Sequence, residues 1–294
     1  MRTNNKYPTI PGRRRRTVSI VGAVLGCALV LSCADPLKGK SPYWHNGYVY
    51  GTQGYAFFSQ GSLDGALTSY RKALTEARRF DIPGQTAQYT FNIGRCFFEL
   101  GGYDSALVYF QSAYSEFGFC GDDPASRRSA AFIALAFSDS GLADSAMAWY
   151  KRAAARKIDK KDRPFMVFLH GRLLWNRDHG REALTYFEEA FKVYKKLRAY
   201  QGMAQTCRYQ AEIYRAFGEY ADAVKCVEEA LSWNDKSDQR FDRFPTLLLA
   251  ASLSACADNS ARARWYYERA RQCACAGMRI PPLQEILECG ISAR

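Results

Sequence analysis

Histidine is scarce in this sequence, and the motifs by which many enzymes handle phosphates, nucleophiles or metals are missing. The 294 residues include three histidines, and none stands near a cysteine or an acidic cluster at the spacing of metal ligands. No G-x-x-x-x-G-K-S/T, G-x-G-x-x-G, G-x-S-x-G or H-E-x-x-H motif occurs. The sequence therefore predicts a protein that is not an enzyme and that carries no metal or cofactor.

Cysteine pairs at C-x-x-C spacing are also missing, although cysteine itself is abundant and Cys273 and Cys275 are separated by one residue. Ten cysteines occur, and no two of them form a C-x-x-C pair, which argues against a zinc ribbon or a thioredoxin motif. Most are expected to be buried free thiols on helices. Disulfide bonds among Cys256, Cys273, Cys275 and Cys289 remain an open alternative if the compartment is oxidising.

Negative charge is absent from the first 32 residues. Arg13 to Arg16 stand directly before an uncharged run over residues 17–32, and this order is typical of an export signal. Asp35 and Pro36 end the run before the roughly 20 apolar residues that a membrane-spanning helix needs. We therefore expect residues 1–32 to be a signal peptide.

The end of this run resembles the lipobox of bacterial lipoproteins. Val30 to Ser32 precede Cys33, and the resemblance implies that Cys33 becomes the lipid-modified first residue of the mature chain, with palmitate among its acyl groups. Cys27 ends a similar motif, but cleavage there would leave an apolar start, and an uncleaved signal anchor is a further alternative. We expect a lipid-anchored envelope protein on the periplasmic side of the inner or outer membrane, or on the cell surface, with residues 33–46 as a tether.

The positive charge of the chain comes partly from this leader. Six of the 41 basic residues lie there, which leaves 35 against 29 acidic residues. So small an excess does not predict a nucleic-acid partner. The basic run from Lys151 to Arg163 has two interpretations, a patch for anionic lipids or acidic partners and a solvated helix end. A second basic run, Arg262 to Gln272, contains Trp265 to Tyr267, which we expect to pack within the last repeat.

A skeleton of small and aromatic residues recurs six times. Its anchoring alanines are spaced by 40, 40, 37, 40 and 40 residues; they are Ala66, Ala106, Ala146, Ala183, Ala223 and Ala263. This pattern resembles the tetratricopeptide repeat (TPR), with a period near 40 rather than 34 residues. The resemblance implies an all-α solenoid of about six helix-turn-helix repeats over residues 47–275, with residues 276–294 as a C-terminal cap.

The repeat also assigns positions to its small residues. Alanines at the anchoring position let two antiparallel helices approach closely. Gly61, Gly101, Gly141 and Gly218 stand where the first helix of a repeat must end. Glycine favours the left-handed conformation that such an ending uses, so we expect turns there.

The resemblance further implies that the first helix of each repeat lines a concave groove that binds a partner. Placed in register, the candidate partner-binding residues are Tyr55, Phe58, Arg95, Phe98, Arg128, Phe168, Arg172, Trp175, Arg208 and Arg215. The aromatic members are open to a second interpretation as core, because an aromatic stripe at helical spacing usually is core. The arginines are not required by core packing, and they suit an acidic or partly apolar ligand because guanidinium groups bind carboxylates and stack on rings.

In outline the chain resembles the TPR lipoproteins of envelope assembly and those of TRAP-type transporters. The first resemblance implies a membrane-anchored scaffold that binds envelope proteins in its groove. The second implies an accessory component of solute transport that holds a small ligand. An adhesin that binds acidic polymers at the cell surface is a third alternative.

Overall fold

The structure is a computed structural model that describes residues 43–155, 158–237, 243–257, 259–274 and 280–291. The predicted signal peptide, Cys27, Cys33 and the predicted tether up to residue 42 lie outside the described residues, as does Cys275. All regular secondary structure within these ranges is helical. None of the described helices combines the length and the apolar composition that crossing a bilayer requires.

Thirteen helices are described, and the first twelve form six consecutive pairs followed by one further helix. Their bounds are α1 Tyr43–Gln60, α2 Leu63–Arg79, α3 Pro83–Glu99, α4 Tyr103–Phe119, α5 Asp123–Asp139, α6 Ala143–Ala154, α7 Arg163–Trp175, α8 Gly180–Leu197, α9 Tyr200–Ala216, α10 Tyr220–Lys236, α11 Arg243–Cys256, α12 Ser260–Cys273 and α13 Leu283–Ile291. The array begins earlier than the sequence predicts, at Tyr43 rather than at residue 47.

Each helix packs mainly on the helices before and after it in the chain, so the pairs stack into one continuous array. The six anchoring alanines are fully buried at the crossings of paired helices. Large buried rings, such as those of Phe110 and Phe187, fill the space next to these alanines. The prediction of an all-α array of six helix pairs is confirmed.

The turns within the pairs use left-handed residues, as the sequence predicts. Gly61, Gly101, Gly141 and Gly218 have φ angles of 82°, 77°, 81° and 75°. The fourth pair has no glycine at this place, and Asp178 takes the left-handed conformation instead, with φ of 65°. Asp tolerates this region better than most residues because its short polar side chain bonds locally.

The first helices of the pairs are more deeply buried than the second helices. Each of α3, α5, α7, α9 and α11 packs against its own second helix and also contacts the second helix of the preceding pair. Contacts between successive first helices, such as α5 with α7 and α7 with α9, cover part of the remaining surface. These five first helices therefore present little open surface in their middle turns, whereas α1, which no described helix pair precedes, exposes Tyr55 and Phe57.

Surface ion pairs connect consecutive pairs on the outside of the array. Arg177 lies 3.8 Å from Asp144, while Arg181 pairs with Glu219 and Arg262 with Glu228. Each ion pair joins the second helix of one helix pair to the second helix of the next helix pair, or to the turn just before that next second helix.

The last helix covers the end of the array. α13 packs on α11 and also touches α12, and its Ile286 is buried among the apolar side chains of these helices. The hydroxyl of Tyr267 on α12 donates a hydrogen bond of 2.8 Å to the carbonyl oxygen of Pro281, just before α13.

Candidate functional site

The aromatic residues predicted for the groove divide into buried and accessible members. Phe58, Phe98 and Phe168 are buried in the hydrophobic core. Phe98 contacts the rings of the neighbouring pair, and Phe168 lies 5.5 Å from Phe187 between ring centroids. The core interpretation therefore describes these three side chains.

Arg95 is buried as well. Its guanidinium lies 4.4 Å from the centre of the Phe58 ring and 6.0 Å from that of Phe132. The side chain thus fills the space between the first helices of three successive pairs, and the rings stabilise its charge by cation–π contact.

A buried charge cluster occupies the middle of the array; it consists of Asp139, Arg172, Arg208, Tyr209 and Glu212. Arg172 Nη2 donates a hydrogen bond of 2.6 Å to Asp139 Oδ1, and its guanidinium lies 5.0 Å from the centre of the Tyr209 ring. Arg208 stacks on the same ring at 4.6 Å and bonds Glu212 Oε1 at 2.7 Å. The cluster links α5, α7 and α9.

Burial and charge compete within this cluster. Burial raises the pKa of the Asp139 carboxyl, and the neighbouring Arg172 works in the opposite direction. Burial, the largest single effect, disfavours the charge of Arg172, but Asp139, Tyr209 and Tyr103 together outweigh it, so the pKa of the Arg172 guanidinium is raised. Burial raises the pKa of Tyr209 to about 12, although the positive charges of Arg172 and Arg208 lower it. The Arg172 guanidinium is in direct contact with the Asp139 carboxyl and favours its charged form, against the effect of burial.

The sequence predicts an exposed series of five arginines, and the structure buries three of them, Arg95, Arg172 and Arg208. They can be buried because rings and carboxylates of neighbouring first helices take the place of water. A role for these three in contacting a partner stays a prediction, since their contacts in the structure are internal. The sequence pattern gave no sign of Asp139 as a partner, because it lies on a different repeat.

Four predicted residues keep accessible surface. Tyr55 on α1 is 37% exposed, Arg215 in the last turn of α9 is exposed, and Arg128 and Trp175 are half-buried. Arg128 lies beside Asp162 in a narrow gap between the starts of α5 and α7.

Trp175 and Arg215 lie at one edge of the array, where first helices turn into second helices. We call Trp175, Gly180, Arg181, Arg215 and Phe217 the turn-edge cluster. A methyl group added at Gly180 would lie 3.0 Å from the Trp175 ring and 2.9 Å from the Phe217 ring, so both rings rest on this glycine. Arg181 lies 4.4 Å from the centre of the Phe217 ring.

The chemistry of this cluster suits recognition of a peptide. Phe217 is 37% exposed. The Arg181 guanidinium lies over its ring and pairs with Glu219, and Arg215, two residues before Phe217, is exposed. Rings next to guanidinium groups bind segments that carry both apolar and acidic side chains, because the ring contacts the apolar groups and the guanidinium binds the carboxylates. Sequence reasoning missed Phe217 and Arg181. The available signal was an aromatic ring, Phe217, at the residue before the turn glycine, where Gln60, Leu100 and Ser140 stand in other repeats.

The described residues include no group of three or more His, Cys, Asp or Glu side chains placed to hold a metal ion. Cys96 and Cys207 are buried free thiols, as expected, and burial raises the pKa of the Cys96 thiol to about 12. Cys120 is exposed, so the expectation of burial is wrong for it.

The two basic runs have different outcomes. Lys151 and Arg152 form the exposed last turn of α6, in line with the helix-end interpretation. In the second run, Tyr266 and Tyr267 are buried, but Trp265 is 52% exposed. The expectation that Trp265 packs within the last repeat is therefore wrong, because its position on α12 points away from α11.

Comparison with known proteins agrees with this architecture. A family model described as tetratricopeptide repeat matches residues 210–237, within the fifth helix pair. No curated protein matches the sequence.

Solved structures match over most of the chain. One is the Rap conjugation gene regulator of the plasmid pLS20 in complex with the Phr* peptide, at 15% identity and a TM-score of 0.62, covering 80% of this chain and 65% of that one. A second is NprR in complex with its cognate peptide NprX, at 15% identity and 0.59, covering 81% and 71%. A third is the APC/C hetero-tetramer Cut9-Hcn1, at 15% identity and 0.60, covering 87% and 44%. This chain thus spans just under two thirds of the Rap regulator. At this identity the likeness shows the fold alone, which is an all-α, TPR-like helical solenoid.

Proposed function

We propose that this protein is an envelope lipoprotein whose helical solenoid binds a segment of another envelope protein, and that it has no catalytic role of its own. The stacked helix pairs support a binding role, because arrays of this kind present extended surfaces to their partners. The Rap and NprR structures are complexes with peptides, which supports a peptide segment as the ligand here.

The turn-edge cluster is the observation that carries this proposal. Trp175 and Phe217 both rest on Gly180. Arg181 is paired with Glu219, and Arg215 adds an exposed positive charge at the end of α9. From α3 onward the middle turns of the first helices offer little open surface, whereas this edge offers rings together with an exposed positive charge. The segment it suits best is acidic and carries at least one apolar side chain.

Photo-crosslinking in intact cells tests the binding role. A benzoylphenylalanine residue at Arg215 should form a crosslink to a specific envelope protein, while the same residue at Glu188, exposed on α8, should not. Phe217→Ser combined with Arg181→Gln should weaken the crosslink formed from Arg215. Equal crosslinking from Arg215 and Glu188, or none from Arg215, would contradict a partner at this edge.

The anchor is tested separately. Cys33→Ser should abolish lipid labelling and release the protein from the membrane fraction, because stable anchoring needs the acyl chains. Cys27→Ser serves as the matched variant and should leave labelling intact. If Cys33→Ser keeps its label and Cys27→Ser loses it, Cys27 is the acceptor. Cleavage by protease added to intact cells would place the protein on the cell surface and favour the adhesin alternative.

A further inference from the structure

The outward face of α12 differs from the corresponding face of every other second helix. The register of the repeats equates Trp265 with five other positions, each two residues after an anchoring alanine. All six positions are exposed, and the other five carry Thr68, Val108, Ala148, Thr185 and Lys225. Packing therefore requires no large ring at this position, and only α12 has one.

The preceding position also changes character in α12. Its equivalents in the first five pairs are apolar and buried or half-buried; they are Leu67, Leu107, Met147, Leu184 and Val224. In α12 the residue is Arg264, which is exposed. A polar outer face is expected of the last repeat of a solenoid, and this accounts for Arg264. It does not account for an exposed tryptophan beside it.

The charges on this face are not balanced. α12 contains four arginines and one glutamate. Arg262 pairs with Glu228 on α10, and Arg271 lies 3.3 Å from Glu268. Within the part of the chain that the structure describes, Arg264 and Arg269 form no ion pair. Two guanidinium groups thus remain available to a ligand.

Trp265 lies between these two charges. The guanidinium of Arg269 is 4.6 Å from the centre of the Trp265 ring, and the ring of Tyr266 braces the tryptophan edge-on at 4.8 Å. Together with Ala261 and Gln272, these side chains border a shallow open hollow. The ring is held in place although its outer surface faces solvent, which is the arrangement of an interface anchor.

We propose that Arg264, Trp265 and Arg269 form a second docking surface, separate from the turn-edge cluster, for an acidic segment of a partner protein that carries an apolar side chain. Charge complementarity favours an acidic partner, because neither Arg264 nor Arg269 is paired with a carboxylate of the described residues. The hollow is open to solvent beside the Trp265 ring, so an apolar side chain of the bound segment can lie against that ring while its carboxylates reach the arginines. An anionic bilayer would instead favour a broad basic face, and Glu268 interrupts this one.

The test uses the full chain in a nonionic detergent and a fluorescein-labelled Glu-Glu-Phe-Glu-Glu peptide, with fluorescence anisotropy as the measurement. The peptide should bind the wild-type protein, and Trp265→Thr should weaken binding at least tenfold. Thr is the residue that α2 and α8 carry at this position, so the substitution should leave helicity unchanged by circular dichroism. Arg269→Gln should weaken binding by a similar factor.

Lys225→Gln is the matched control, because Lys225 occupies the same register position on α10 and also carries a positive charge. It should bind the peptide as the wild type does. Unchanged affinity in both Trp265→Thr and Arg269→Gln would overturn the proposal, as would equal binding of Lys-Lys-Phe-Lys-Lys. Flotation with phosphatidylglycerol vesicles that depends on Trp265, without peptide binding, would make the surface a membrane contact and also overturn it. Because the readout is a defined peptide, its failure is distinct from a failed crosslink at Arg215.

Discussion

Arg172 and Asp139 place a complete ion pair inside the helical core, where their side chains are 3% and 6% exposed. Removing two charges from water costs several kcal/mol each, and their attraction offsets that cost only while both are present. The pair is therefore a poor source of net stability but a sensitive point for substitution. Loss of partner binding in an Arg172 variant would not show that Arg172 contacts the partner.

Arg172→Ala should lower the free energy of unfolding by about 3–5 kcal/mol, because it leaves the buried Asp139 carboxylate without its partner. Arg172→Met combined with Asp139→Leu should recover most of this loss, since it removes both charges and keeps the volume. Arg215→Ala, at an exposed site, should change stability by no more than about 0.5 kcal/mol. Urea denaturation followed by circular dichroism measures all three. An Arg172→Ala protein as stable as the wild type would contradict a buried ionic pair.

At the scale of helices, close approach within each pair depends on small residues facing rings. A methyl group added at Gly94 on α3 would lie 2.8 Å from the Phe110 ring on α4. Ala106 and Ala146 are fully buried on second helices of successive pairs. The helices therefore have no room for a larger side chain at these crossings.

Ala106→Leu and Ala146→Leu should each lower the free energy of unfolding by roughly 1–3 kcal/mol, because the added atoms overpack the crossing. Gln111→Leu on α4 introduces the same residue at an exposed position and should cost little. Thermal melts of the three variants give the comparison. Three equal melting temperatures would mean that the alanines do not lie at crossings.

The repeat pattern predicted which helices form, because small residues recurring at a fixed interval mark crossings that only one register satisfies. It also predicted the turn glycines, whose left-handed conformation follows from local sterics. It did not predict the burial of Arg95, Arg172 and Arg208. A periodic pattern places a residue on one face of a helix, but whether neighbouring first helices close over that face depends on contacts between different repeats.

At the scale of the whole molecule, helices contact mainly their neighbours in the chain. Stability in such an array is approximately a sum of terms for single repeats and for the interfaces between them. The two ends each lack one neighbour. At the C-terminal end α13 supplies part of the missing cover, through Ile286 and the bond from Tyr267 to Pro281.

Ile286→Asp should therefore loosen only the C-terminal end, because it places a charge in the contact between α13 and α11. Backbone amides of α11 and α12 should exchange with deuterium faster than in the wild type, and those of α3 and α4 should not change. Gln272→Asp, which adds the same charge on the exposed side of α12, is the control and should leave both regions unchanged. Faster exchange throughout the chain would show that the array unfolds as one cooperative unit and that its repeats do not open independently.

The surface ion pairs between consecutive helix pairs also have a mechanical consequence. Exposed pairs such as Arg177–Asp144 and Arg181–Glu219 contribute at most about 1 kcal/mol each, so the buried apolar side chains between the helix pairs hold each junction. Because the junctions act in series, a slight rotation at each one adds to the next along the array. We therefore expect the array to bend by many small rotations distributed along its length, with no single hinge.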